Sequence, residues 1–326
     1  MKAVWYEQNG GAEILQYGDM PNPQPGAGEV RVKVATSGVN PSDWKRRQGL
    51  TARIGFPRVI PNQDGAGVID AVGDGVVSSR IGERVWLFES QFGRAFGTGA
   101  EYTVQPSCHA VRLPDNTDFA AAAGLGVPAM TAHRCVFSDG PITGKTVLVT
   151  GGAGAVGRYA IQMAKLGGAS IISTVSSDEK AQIARDAGAD HTTNYREENV
   201  TERIIELTGG EGVDLVVEVD MAANFPVSQQ VLKRSGVLAV YSGGSSQGPA
   251  VPLSFKSTNV TVRMVLVYDM PEIAKAAAVA DITSWLEQGK LMPFAGPHFS
   301  LERLKDAHLA VENAVIGKVV VDVSPL

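Results

Sequence analysis

The sequence predicts an α/β chain: a doubly wound parallel sheet in the middle, with a β-rich unit built from the residues before it and the tail after it. Three observations predict this. Residues 145–175 read as strand, glycine turn, helix and strand; β and α segments alternate for some ninety residues beyond them; and short strands recur between turn clusters in the first third.

The glycine turn organises the rest. Val147, Leu148 and Val149 form a β-branched apolar run suited to a buried parallel strand, and Gly151 follows with one residue between. Gly152, Gly154 and Gly157 give the spacing G-x-G-x-x-G. The first glycine permits a tight turn, the second lets backbone approach a pyrophosphate, and the third lets helix pack on strand. A helix from Val156 to Leu166 aims its unpaired N–H groups at that phosphate, and a second apolar strand follows at Ile171 to Val175. In a chain with 37 glycines the hexapeptide alone says little; the strand, helix and second strand supply the context the motif requires.

Before the turn, Val30, Val32 and Val34 alternate with Arg31 and Lys33, as in a half-buried strand. Further strands are predicted at 65–72, 84–88, 100–104 and 110–113, a pattern of small barrels or sandwiches. The character changes near Asp118, where an alanine-rich helical stretch begins. After the turn, helices are predicted at 179–187, 200–207 and 226–234, and strands at 213–219 and 237–241. Beyond Arg263 the alternation fades: helices at 274–288 and 301–312 precede a strand at 318–323, a tail expected to return to the first unit.

Composition narrows the function. Hydrophobic residues make up 44% and charged residues 19%, and the net charge of −5 gives no basic footprint for nucleic acid or an anionic membrane. Lys45, Arg46 and Arg47 read either as an anion contact or as a solvated helix face. No run approaches the roughly 18 apolar residues that span a bilayer. The start reads as no secretory signal, and Cys108 and Cys135 are too few for a disulfide framework, so a cytoplasmic setting is expected.

A turn that binds NAD usually has an acid about 20 residues on, to hold the ribose hydroxyls. Asp178 and Glu179 fall near that count, but they read as the first turn of the next helix with Ser177 as N-cap. That leaves Ser176 and Lys180, a hydroxyl and an ammonium, which suit the 2′-phosphate of NADPH.

As a whole the chain resembles the medium-chain dehydrogenase/reductase superfamily, and within it the zeta-crystallin-like quinone oxidoreductases. The resemblance is carried by Ser-Gly-Val-Asn-Pro at 37–41, Asp-Gly-Ala-Gly-Val-Ile at 64–69, Ala-Val-Gly-Asp-Gly-Val at 71–76 and Gly-Ala-Glu-Tyr at 99–102. Gly-Val-Pro-Ala-Met-Thr-Ala at 126–132, the glycine turn, Asn-Tyr-Arg-Glu-Glu at 194–198 and Gly-Lys-Val-Val at 317–320 extend it over almost the full length. It implies a GroES-like catalytic domain, residues 1–123 and 263–326, a Rossmann domain, residues 124–262, and NADPH in a cleft. It also implies a homodimer or a tetramer of dimers, commonly paired through the edges of the Rossmann sheets. Zinc-dependent relatives carry a Cys near Ser37, a Gly-His-Glu at Asn62-Gln63-Asp64 and a lobe of four cysteines; without thiolate or imidazole there, the resemblance points to the zinc-free branch.

Position by position, the resemblance places Asn40 at the nicotinamide end of the cleft and Thr131 at the nicotinamide ribose or amide. Gly152, Gly154, Ala155, Val156 and Gly157 match the pyrophosphate turn, Ser176 and Lys180 the 2′-phosphate pocket, and Tyr195 the adenosine side. Tyr241, Ser242, Gly243 and Gly244 resemble the loop that touches the nicotinamide by backbone, and Lys318 the C-terminal basic position near the cofactor. Many bacterial members have a tyrosine shortly after the Asn-Pro pair, where this chain has Trp44-Lys45-Arg46-Arg47.

A site without a metal suits an acceptor that is already electron-poor, a quinone or an α,β-unsaturated ketone, and catalysis becomes mainly positioning. Asn40 is the expected donor to the developing oxyanion. Asp43 is the candidate local acid, with a turn or cap role as the alternative. The five histidines are scattered and read as structural or surface groups. The expected activity is NADPH-dependent quinone reduction; the alternatives are an enone or enoyl reductase, or an NADPH-binding structural or nucleic-acid-binding protein with little catalysis.

Overall fold

The computed structural model describes residues 1–242 and 250–325. It divides into two compact units, Met1–Val127 with Val279–Leu326, and Pro128–Ala278.

The first unit opens with a two-stranded antiparallel ribbon, β1 (Lys2–Trp5) and β2 (Gln16–Asp19). β3 (Glu29–Gly38) is the spine of a larger sheet. Its alternation places Val30, Val32 and Val34 in the core, fully buried. Helix α1 (Pro41–Gln48) follows, started by Asn40 and a proline at its first position, and stopped by Gly49 at φ 83°. The strands β4 (Asp64–Val72), β5 (Arg84–Leu87), β6 (Tyr102–Pro106) and β7 (Ala110–Arg112) come next, then a short helix α2 (Phe119–Ala122) capped by Asp118. β3 pairs antiparallel with β4 and with β6.

The second unit begins with α3 (Met130–Phe137) and then alternates: β8 (Thr146–Val149), α4 (Ala155–Leu166), β9 (Ser170–Val175), α5 (Asp178–Asp186), β10 (His191–Asn194), α6 (Val200–Leu207), β11 (Val213–Glu218), α7 (Met221–Val231), β12 (Leu232–Val240), α8 (Ser254–Thr258) and β13 (Thr261–Met264). The six strands are all parallel, in the order β10-β9-β8-β11-β12-β13. That order reverses direction between β8 and β11, the switch point at which such sheets open a crevice at their carboxyl ends. Leu148, Ile172, Val216 and Leu238, all buried, anchor its core.

Three elements depart from the sequence expectation. α7 starts at Met221, not at Pro226: Asp220 caps it by accepting Ala223 N–H, and Pro226 lies inside the helix. Residues 232–234 open β12, whose register to β11 shifts between Val213 and Leu215, while Ser235 takes φ 60°. The strand β13 adds a sixth member to the sheet by pairing with β12, so the second unit continues past Arg263 to Ala278.

The tail supplies α9 (Glu272–Glu287), β14 (His298–Ser300), α10 (Leu304–Glu312) and β15 (Val320–Asp322). β15 pairs antiparallel with the end of β3, Val320 opposite Gly38, and β14 pairs with β15. Chain ends more than 280 residues apart in sequence thus complete one sheet.

Candidate active site

In the first unit, the end of β3, the start of α1, the start of β4 and Lys318, two residues before β15, converge on a buried polar cluster. Lys318 Nζ donates to Asn40 Oδ1 at 2.6 Å and to Asp64 Oδ2 at 3.0 Å, and Asn40 Nδ2 donates to Asp64 Oδ2 at 2.7 Å. Asp64 Oδ1 accepts Val127 N–H at 2.8 Å. Each of the three side chains is at most 3% exposed. A buried carboxyl and ammonium are tolerable only when paired and hydrogen-bonded in this way. Gly38 makes the room: a Cβ there would lie 2.0 Å from the Ala123 carbonyl oxygen and 2.8 Å from Lys318 Cε.

Asp43 joins the cluster from α1. Its Oδ2 accepts Asn40 N–H at 2.7 Å, the cap role that was one of its two expected functions. Burial, and secondarily the charge of Asp64, push its carboxyl up to about 7. Arg47, one turn on, is neither an anion contact nor a solvated residue: it is fully buried and paired with Glu312 of α10.

In the second unit, the glycine turn links β8 to α4. Gly151 has φ 66°, a conformation that side-chain-bearing residues rarely adopt. A Cβ on Gly157 would lie 2.5 Å from the Gly151 carbonyl oxygen, so the third glycine of the motif is required by packing of the helix on the turn. Arg158 N–H bonds Gly154 carbonyl at 2.9 Å and begins the helical ladder. The N–H groups of Ala155, Val156 and Gly157 precede that ladder, in the position where helix termini bind phosphate.

At the end of β9, Lys180 Nζ donates to Ser176 Oγ at 3.0 Å. Ser177 Oγ caps α5 by accepting Lys180 N–H at 3.3 Å, with Asp178 and Glu179 in the first turn as expected. Tyr195 stands beside them: its N–H bonds Val175 carbonyl at 3.1 Å and its side chain is exposed. Thr131 lies buried on α3, and Tyr241 and Ser242 follow β12. Gly243 and Gly244 lie outside the described residues.

Sequence reasoning passed over Glu218, a fully buried glutamate at the carboxyl end of β11. The signal was a lone carboxyl in the apolar run Leu215–Val219. Asp64 was noted only for what it replaces; its contacts to positions 40 and 318 carry no local signature.

Comparison with known proteins places both units in known families. Residues 155–282 match the zinc-binding dehydrogenase family, and residues 26–115 the alcohol dehydrogenase GroES-like domain. The chain is 30% identical to the quinone oxidoreductase of Homo sapiens over 320 residues, covering 97% of this chain and 94% of the human protein. The crystal structure of Escherichia coli quinone oxidoreductase complexed with NADPH superposes with a TM-score of 0.87 at 26% identity, covering 99% and 100% of the two chains. An NAD-dependent alcohol dehydrogenase superposes with a TM-score of 0.90 at 30% identity, covering 99% and 100%.

The first family's name raises the question of zinc. Ser37 Oγ is 2.7 Å from Thr98 Oγ1 and accepts Asn62 Nδ2 at 2.9 Å, and Gln63 and Gln91 bond each other. Hydroxyls and amides satisfying one another are a poor donor set for zinc, which takes thiolate, imidazole and carboxylate. With both units matched, nearly the full length shared, and this donor set where zinc-dependent members carry ligands, the chain belongs to the zeta-crystallin-like quinone oxidoreductases of the medium-chain dehydrogenase/reductase superfamily.

Proposed function

We propose that this protein is an NADPH:quinone oxidoreductase. The observation that carries the coenzyme is the Lys180–Ser176 pair at the end of β9, a cation and a hydroxyl at the position where a carboxylate would hold the ribose of NADH. The residues fit the dinucleotide elsewhere too: the glycine turn brings backbone close, and Ala155 and Val156 offer N–H groups to the pyrophosphate. NADPH, when bound, supplies the hydride.

The chain's own contribution is orientation and charge. Lys318 holds Asn40 by its oxygen, Asp64 takes one of the two hydrogens on Nδ2, and the second is left for the acceptor's oxygen. The ammonium on Oδ1 polarises the amide and strengthens that donor. Lys318 thus acts through Asn40. Asp43, bonded to Asn40 N–H and pushed up to about 7, is the candidate proton source, and solvent is the alternative. No catalytic nucleophile is required, since a quinone accepts reducing equivalents without polarisation by a metal.

Two coarser findings extend this reading. Among the described residues no helix is long and apolar enough to cross a membrane, and Cys108 and Cys135 are unpaired, which fits the reducing cytoplasm. The edge strand β13 and its flanks expose Met264 and Leu266, which supports a homodimer joined there.

The test is NADPH and NADH titration followed by absorbance at 340 nm with a panel of quinones and enones. Tight NADPH binding with quinone turnover is expected. Preference for NADH would sink the coenzyme assignment, and turnover of enones alone would move the chain to the enoyl reductases. Tight NADPH binding with no acceptor turned over would leave a binding protein. In the same assay Asn40→Ala is expected to lower kcat by about a hundredfold while NADPH affinity holds. Equal loss in both would remove Asn40 from the chemistry.

A further inference from the structure

Glu218 takes no part in the roles described so far, yet it sits at the sheet's switch point with four hydrogen bonds to its side chain. Its side chain is fully buried. Oε1 accepts Thr150 Oγ1–H at 3.0 Å, Asp220 N–H at 2.6 Å and Asn224 Nδ2–H at 2.7 Å, and Oε2 accepts Ser228 Oγ–H at 3.3 Å. The donors come from the end of β8 and the first turns of α7. A carboxyl group, an acceptor at both oxygens, is the one side chain that can receive all of them.

Thr150 is the link to the coenzyme. It is the last residue before Gly151; its hydroxyl oxygen also accepts Val219 N–H at 2.9 Å, and its single hydrogen has the Val217 carbonyl at 3.2 Å as a second, longer alternative to Glu218. On the other side, Gly151 N–H is held by Thr174 Oγ1 of β9 at 3.2 Å, and Gly152 N–H by the Thr174 carbonyl at 3.3 Å. The glycine turn therefore leaves β8 clamped from β9 by Thr174 and from β11 by Glu218. The Glu218 main chain reaches further: its carbonyl accepts Tyr241 N–H at 3.1 Å, and Met221 N–H bonds the Ser242 carbonyl at 3.3 Å. One residue thus ties the turn under the pyrophosphate to the segment expected beside the nicotinamide.

We infer that Glu218 is a positioning residue for the dinucleotide, acting through Thr150 to fix the phosphate turn and through its own carbonyl to fix the Tyr241–Ser242 segment. The inference rests on the NADPH reading above. It makes a prediction opposite to simple charge reasoning: removing a negative group near a phosphate site ought to tighten binding by electrostatics alone, whereas loss of the clamp weakens it.

The test measures NADPH Kd by fluorescence, kcat at saturating NADPH and the urea midpoint for the unsubstituted protein, Glu218→Gln, Thr150→Val and the double variant. Glu218→Gln turns one acceptor oxygen into an NH2 facing donors; Thr150→Val keeps the side-chain shape and removes the hydroxyl, and with it the acceptor of Val219 N–H. Each single variant is expected to raise Kd about tenfold, about 1.4 kcal/mol. The double variant should be little worse than either single one, because both break the same link. A lowered urea midpoint with unchanged Kd would make Glu218 merely structural and overturn the inference, as would tighter binding in Glu218→Gln. Absence of NADPH binding by the unsubstituted protein would overturn the coenzyme reading and this inference together, and so is distinguishable from failure of the inference alone.

Discussion

Asp43 carries the clearest pH signature of any residue in the candidate site. An aspartate in an unfolded chain titrates near 3.9, whereas burial and the neighbouring Asp64 push Asp43 up to about 7. Between those values the folded chain holds a proton that the unfolded chain has released. Stability therefore falls as pH rises through that window, and the loss is complete above it. Asp43→Asn keeps an acceptor for Asn40 N–H and removes the ionisation. It is expected to flatten the slope of urea-derived stability between about pH 4 and pH 7, by on the order of 4 kcal/mol across the window at about 1.4 kcal/mol per pH unit. Parallel slopes for the two proteins would mean that Asp43 titrates normally. The Asn40-Pro41 pair and Asp43 were visible in the sequence because they are neighbours on one helix start. Lys318 was visible by resemblance alone, and its partners were not, since 278 residues separate it from Asn40 and 254 from Asp64. Contacts at that separation are fixed by strand pairing, which no local window of residues specifies.

At the scale of elements, legibility followed the strength of local signals. The glycine turn and the strands around it were readable because φ and packing at Gly151 and Gly157 leave few alternatives. The start of α7 was misplaced because proline favours the first helical turn, and here Asp220, six residues before Pro226, supplies the cap that wins. Arg47 shows the same limit: three basic residues at a helix end look solvated, yet this one is enclosed against α10. Its Nε and Nη1 have no hydrogen-bond partner among the described residues, so Glu312 is its only ion-pair partner among them. Burial lowers the pKa of the guanidinium, and Glu312 opposes that shift. Removing one partner of a buried pair leaves an uncompensated charge, whereas removing both costs far less. Glu312→Ala is accordingly expected to cost about 3–5 kcal/mol, and Glu312→Ala with Arg47→Met to recover most of it. Denaturant midpoints of the three proteins decide this; a double variant as unstable as the single one would mean that the loss comes from α10 itself.

At the scale of the whole molecule, the proposed homodimer rests on how the parallel sheet ends. In the order β10-β9-β8-β11-β12-β13, the last strand has a partner on one side only. An unpaired edge is a template for another chain unless charge, proline or a covering element blunts it. Here Met264 and Leu266 are 68% and 55% exposed, and Val251 and Leu253 nearby are exposed as well. Arg263, the one charge on β13, is held in a bidentate pair with Asp139, Nε to Oδ2 at 2.6 Å, and so is a weakened guard of the edge. A largely apolar edge strand whose own cation is already paired fits pairing with a second copy of itself, which would bury these side chains and extend one sheet across both. The expected mass in solution by light scattering is that of a dimer. Met264→Lys should shift it toward the monomer, because two like charges would meet across an isologous contact. The fold of each monomer should survive, since Met264 contributes little to its own core. A dimer that persists in Met264→Lys with undiminished affinity would place the contact elsewhere on the surface, and a monomer in the unsubstituted protein would leave the β13 edge without the partner its composition asks for.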